Sequence, residues 1–314
     1  MKKHLFLVIL FFVFILSISA APINTNGHNF SIGASFGIIY GETEEVAYRD
    51  NSWNYLSQLL WQMKPVMLPG LDIHYDWRES IFVNASFKFG IPGKWGNMED
   101  RDWMMPQSDW ITHFSFHDNK TERAILADLE FGKTFSFRSY LGLNVFLSYR
   151  FMFFSFTASR GTFLYPESGG GHFYWTGNDK MALYEQTWHV LSPGVSFYGV
   201  FNKYFDIEIL LNVTPLVLAN TLDRHLLRGL KIYDKNLFPA FYIEPGLLFS
   251  FKANPSLILA LSLNYRNISF ARGDSIYVES GMPDETYRDT GGAGYNALSV
   301  SLGAKIKILE SAKP

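Results

Sequence analysis

Two short stretches carry residues whose types and spacing suit proton-transfer chemistry. In "GKWGNMEDRDWMMPQ" (93–107), Asp100 and Asp102 stand two residues apart among Met98, Trp103 and Met104. In "NTLDRHLLRG" (220–229), Asp223 and His225 repeat that spacing. On extended backbone, residues i and i+2 point to the same face, so each pair presents two polar groups side by side. A carboxylate beside a histidine fixes the tautomer and leaves the other ring nitrogen to take a proton from water. A carboxylate pair can hold that water or share a proton. Together the stretches read as acid–base hydrolysis. Taken singly, each reads first as a solvated polar surface. Two aspartates and a histidine would also suit a divalent cation, but the sequence sets no second histidine beside them.

The elements that must position these pairs are strands. In "SLILALSLNYRNISF" (256–270), Leu257, Leu259, Leu261, Leu263 and Tyr265 alternate with small or polar residues. In "ALSVSLGAKIKI" (297–308) the apolar phase is Leu298, Val300, Leu302, Ala304, Ile306 and Ile308. In "FDIEILLNVTPLV" (205–217) it is Phe205, Ile207, Ile209, Leu211 and Val213. Period-two alternation of this kind marks strands with one apolar and one polar face. About ten such segments follow one another, at roughly 28–41, 55–76, 79–91, 121–137, 138–156, 181–202, 204–220, 238–252, 254–270 and 293–309. Short turns alternate with long links at 42–54, 92–120, 157–180, 221–237 and 271–292.

An even strand number, with short turns at one end and long loops at the other, predicts a ten-stranded antiparallel transmembrane β-barrel with long extracellular loops. A secreted sandwich or lipocalin-like barrel is the alternative, and it would turn its apolar faces inward. Composition fits the membrane form: 17% aromatic and only 18% charged residues, with no cysteine. The formal net charge is −2, and more negative once Lys2 and Lys3 are removed, which excludes a nucleic-acid footprint. Lys2 and Lys3, the apolar run Leu5–Leu16 and the small residues Ser17–Ala21 predict a signal peptide over residues 1–20, cleaved near Ala20. Residues 21–314 then form one barrel domain in the cell outer membrane.

Five segments carry a resemblance to a known family. "GETEEVAY" (41–48), "SQLLWQM" (57–63), "GNMEDRDWM" (96–104), "FSFTASRG" (154–161) and "LDRH" (222–225), with "GAGYN" (292–296), resemble in order segments of the omptins. The resemblance implies a ten-stranded outer-membrane endopeptidase acting on peptides or proteins, near basic residues, without a cofactor or metal. It implies that Asp223 and His225 form the catalytic dyad, with His225 as the base that activates water. Asp100 and Asp102 would face the dyad, Asp100 holding the water and Asp102 adding to the electrostatics. Glu45 would line the pocket for a basic substrate side chain. The position of that glutamate's acidic partner is Thr221 here, so this pair of positions supplies one carboxylate at most.

The resemblance also implies an outer-wall lipopolysaccharide site. Tyr149 is kept there, but Phe151 and Phe153 stand where an acid and an arginine belong, so lipopolysaccharide dependence is not expected. The expected partners are substrate and outer-membrane lipid, for a monomer. A catalytically silent adhesin or receptor barrel is the alternative function; a small channel is less consistent with a ten-stranded lumen filled by side chains. Of the other histidines, His28, His74 and His189 read as strand positions, His113 and His117 as surface positions in the second long link, and His172 as part of a flexible loop. Arg150, Asp128, Glu130, Glu208 and Arg266 read as a polar barrel interior.

Overall fold

The alternation read from the sequence builds long strands. A computed structural model of the chain describes residues 23–25, 27–49, 54–78, 80–94, 96–104, 110–165, 172–175 and 179–311. The expected signal peptide, residues 1–20, lies outside the described residues. The strands are β1 (Ile23–Thr25), β2 (His28–Tyr48), β3 (Tyr55–Trp77), β4 (Ile81–Phe89), β5 (Asn97–Asp102), β6 (His113–Arg138), β7 (Leu141–Leu164) and β8 (His172–Trp175). They continue with β9 (Ala182–Val200), β10 (Phe205–Thr214), β11 (Val217–His225), β12 (Leu230–Leu237), β13 (Tyr242–Lys252), β14 (Leu257–Glu279) and β15 (Glu285–Ser311).

Antiparallel pairing runs β15–β2–β3–β4–β6–β7–β9–β10–β13–β14, and β14 pairs back to β15. Ten staves therefore close a ring. Above β4, β5 sits between β3 and β6; above β10 and β13, β11 and β12 continue the ring between β9 and β14. The unbroken staves reach 19 to 27 residues, about twice the roughly 9–11 that a bilayer needs. The barrel thus projects well beyond the membrane.

Burial decides which face meets lipid. Leu71, Phe131, Leu147, Phe197, Ile209 and Leu302 stand on the outer surface, each more than half exposed, and they belong to six different staves. The charges point inward. Arg150 pairs with Asp128 (3.0 Å), Glu130 (3.3 Å) and Glu244 (2.6 Å), and Arg266 with Glu244 (2.8 Å) and Asp128 (3.2 Å). Apolar side chains outside and paired charges inside are the reverse of a lipocalin-like barrel, and match a membrane barrel. Above this network the interior becomes aromatic. Tyr184 stacks on Trp61 (5.4 Å between centroids), Trp61 on Phe156 (5.9 Å), and Phe154 on both Phe156 (6.2 Å) and Tyr295 (5.4 Å).

The long links differ from the sequence expectation. Most of their residues extend strands: 42–48, 97–102, 113–120, 157–164, 221–225, 230–237, 271–279 and 285–292 all lie in strands. Above the lipid, both faces of a stave can carry polar groups, so the period-two signal fades there although the hydrogen bonding continues.

Candidate active site

Asp100 and Asp102 lie on β5, a six-residue strand, and not in an irregular loop. Their cross-strand neighbours are Leu59 and Ser115 for Asp100, and Ser57 and His113 for Asp102. Asp102 is buried and Asp100 half-buried. Two hydroxyls approach Asp100: Ser57 Oγ lies 3.4 Å from Oδ1, and Ser115 Oγ 3.4 Å from Oδ2. Burial, then the neighbouring charge of Asp102, pushes the Asp100 carboxyl up to about 7. Burial raises Asp102 as well.

Asp223 and His225 lie on β11, four staves round the ring from β5. Strict alternation from β10 would turn both outward, because the odd positions Phe205, Ile209 and Leu211 face out. The chain corrects this at Pro215 and Leu216, which stand between β10 and β11, both exposed. Asn212 pairs with Gly194 and Val217 with Val190 of β9, so this stave spends one residue more than its neighbour over the same rise. That single extra residue, in the manner of a β-bulge, puts Val217, Ala219, Thr221 and Asp223 on the buried inner face.

His225 Nε2 is 2.7 Å from Asp223 Oδ2. Asp223 is 1% exposed, whereas the His225 side chain keeps 30% of its surface. Burial works against a charged His225, but the hydrogen bond and charge of Asp223 outweigh it, and the imidazole pKa is raised. Nδ1 is left as the nitrogen available for a proton. The charges of His225 and Asp223 act on Asp100, so the two pairs share one groove. Arg228, on the turn after β11, acts on Asp102 and His225 from the rim.

Glu45, on β2, is 6% exposed and its Oε2 has no hydrogen-bond partner. Burial, then the charges of Asp223, Asp234 and Asp100, holds its carboxyl well above the ordinary range. Thr221 is buried on the inner face of β11. Glu45 is the one carboxylate of the Glu45–Thr221 pair, and a further acid, Asp234, comes from the expected link 221–237. Asp234 lies on β12 directly opposite Thr221, is 2% exposed, and accepts hydrogen bonds from Thr221 Oγ1 (2.7 Å) and Ser275 Oγ (2.6 Å). Burial pushes it up to about 6.

His113 and His117 also differ from expectation. Both are buried on β6, and neither is a surface position. His117 Nε2 lies 2.9 Å from Ser115 Oγ, and Nδ1 lies 3.1 Å from the carbonyl oxygen of Ser159. His28, His74 and His189 are on strands as expected; His172 is on β8. On the outer wall the Tyr149 hydroxyl lies 2.8 Å from His189 Nδ1, and Phe151 packs on the same imidazole. Among the described residues, no set of three or more His, Asp or Glu side chains is arranged to hold a metal ion.

Comparisons with known proteins converge on one family. The model of the Omptin family matches residues 26–308. The plasminogen activator of Yersinia pestis is 26% identical over 226 residues, covering 70% of each chain. The outer membrane protease OmpP of Escherichia coli K12 is 26% identical over 139 residues, 43% of this chain and 44% of that one. Among solved structures, the outer membrane protease OmpT of Escherichia coli superposes with a TM-score of 0.83 at 18% identity, covering 89% of this chain and 96% of that chain.

Proposed function

This chain belongs to the omptin family and is an outer-membrane endopeptidase, and from that premise we propose that a water molecule activated by the Asp223–His225 dyad cleaves the peptide bond. Asp223 holds His225 Nε2, so Nδ1 takes one proton from the water as its oxygen attacks the carbonyl carbon. Asp100, in its ionised form, accepts the water's other hydrogen and aims its lone pair. Asp102 keeps negative charge beside Asp100. When the tetrahedral adduct collapses, the C–N bond breaks and the leaving amine takes the proton from His225. The products are a carboxylic acid and an amine, and transfer of the acid proton to the amine gives a carboxylate and an ammonium. No covalent acyl-enzyme forms, and no cofactor is needed.

The observation that carries this reading is the 2.7 Å contact between Asp223 and His225 on an inward face, opposite a wall holding two further aspartates. A barrel that only bound ligands would have no need of both pairs. We further propose that cleavage falls beside basic residues, drawn by Glu45, and that the protein acts as a monomer surrounded by outer-membrane lipid. Dependence on lipopolysaccharide is not expected, because aromatic rings occupy Phe151 and Phe153.

The test is hydrolysis of internally quenched peptides by the mature chain refolded in detergent. His225→Ala and Asp100→Ala should each lower the rate by roughly 10²–10⁴. A folded, heat-modifiable barrel that cuts nothing, with or without lipopolysaccharide, would instead favour the silent adhesin or receptor.

A further inference from the structure

We infer that Asp234, on β12, is a specificity-determining residue: with Glu45 it forms a two-carboxylate pocket that grips a lysine or arginine side chain of the substrate next to the cleaved bond. The inference rests on the endopeptidase reading and names the residue that selects among its substrates.

The argument begins with unmet hydrogen bonding. An ionised carboxylate offers about four acceptor sites, and a buried one without donors is costly. Asp234 receives two neutral donors, from Thr221 and Ser275. Glu45 Oε2 and Asp223 Oδ1 are buried without any partner. Among the described residues, no ion pair involves Glu45 or Asp234. Asp223 on β11 has His225 as its partner, whereas Glu45 on β2 and Asp234 on β12 have no cationic partner among the described residues.

Two tyrosines show that the acids line one space. Tyr184, buried on β9, and Tyr277, on β14, each feel the charges of Glu45, Asp234 and Asp223. The partly exposed Tyr277 ring gives an aromatic wall for an aliphatic stem, with Tyr184 buried behind it against Trp61, and the carboxylates give an end that needs N–H donors. A lysine or arginine side chain has that combination. Gly291 makes the arrangement possible: a Cβ there would lie 2.3 Å from Asp234 Oδ1 and 2.7 Å from Ser275 Oγ. The two hydroxyls hold Asp234 in place and leave further acceptor sites free for the guest.

The experiment compares three quenched peptides that differ only in the residue before the cleaved bond: arginine, lysine, or citrulline, which keeps the shape of arginine without its charge. For the wild type, kcat/KM should favour arginine and lysine over citrulline by about 10²-fold. Asp234→Asn should lower that ratio about tenfold or more, because turnover of the basic peptides falls further than turnover of the citrulline peptide. The double change Thr221→Asp with Asp234→Thr, which moves the carboxylate one strand across, should restore the ratio. If Asp234→Asn does not assemble, Thr221→Val removes one donor and no charge, and should lower the ratio in the same direction. An Asp234→Asn barrel that loses all three peptides equally, or keeps the wild-type ratio, overturns the inference. A wild-type barrel that cleaves none of them overturns the hydrolase reading as well.

Discussion

His225 Nε2 and Asp223 Oδ2 lie 2.7 Å apart, with the aspartate sealed inside the barrel and the imidazole reaching into the groove. The pair raises the His225 pKa above its ordinary 6.5 despite burial. Only the neutral ring accepts a proton, so hydrolysis is lost as pH falls through that raised value. Asp100, pushed up to about 7, is needed ionised and acts in the same direction. The expected kcat/KM therefore climbs with pH across the range above 6.5, more steeply than one group alone would give. Asp223→Asn should lower the plateau by roughly 10²–10⁴ and move the rise to lower pH, because His225 loses what held its proton. A wild-type profile that is flat from pH 5 to pH 8 would contradict this assignment.

The contacts of His117 set the proton count at Asp100. The carbonyl of Ser159 can only accept, so Nδ1 of a neutral His117 carries the hydrogen and Nε2 accepts from Ser115 Oγ. Burial lowers the His117 pKa, which keeps the ring neutral. Ser115 Oγ also lies 3.4 Å from Asp100 Oδ2 and donates to the ionised carboxylate, so His117 Nε2 and Asp100 compete for the one Ser115 proton. His117→Leu frees the Ser115 proton for Asp100 and favours its ionised form. The expected result is an activity profile displaced to lower pH, with the plateau changed less than by loss of a dyad member. Displacement to higher pH would reject this hydrogen-bond order.

The staves were legible because lipid writes a strong pattern. Leu261 and Leu263 point out while Arg266 points in, and that contrast alone marks β14. The chemistry-bearing pairs were legible by residue type and spacing. Their platform was not. Asp100 and Asp223 sit where neither face meets lipid, so their strands looked like links. Asp234 was missed for the same reason, although "LKIYDKNL" carries a faint signal: Lys231 and Lys235 share one phase and Asp234 the other. Its meeting with Thr221 depends on cross-strand register, which one sequence does not display. His113 and His117 were assigned to the surface because the link containing them gave no sign of pairing with β5 and β7.

The extra residue between β10 and β11 can be tested directly. Deleting Leu216 alone restores plain alternation from Thr214 through Pro215 to Val217, and leaves Asp223 and His225 facing inward. Deleting Pro215 and Leu216 together turns Val217 outward, and with it both dyad residues. The single deletion should retain hydrolysis. The double deletion should lose at least the 10²–10⁴ attributed to the base, even where gel mobility shows an assembled barrel. Equal activity in the two would mean that β11 finds its face by some other adjustment.

Stability and catalysis should separate at the aromatic layer formed by Tyr184, Trp61, Phe156, Phe154 and Tyr295. Below it, Arg150 is 3% exposed and joins Asp128, Glu130 and Glu244. Arg150→Met leaves Asp128 and Glu244 to Arg266 and takes from Glu130 its ion pair, and breaking a buried network of this kind costs about 3–5 kcal/mol. Replacing Glu244 at the same time, as Arg150→Met with Glu244→Met, removes an acid along with the base and should recover part of that loss. The measurement is the urea midpoint for loss of the heat-modifiable form, read beside peptide hydrolysis under conditions where each variant is folded. The single change should shift the midpoint strongly and leave kcat/KM near wild type, because none of these groups touches the groove. A fall in kcat/KM matching the loss of stability would show that the lower network also sets the geometry of Asp223 and His225.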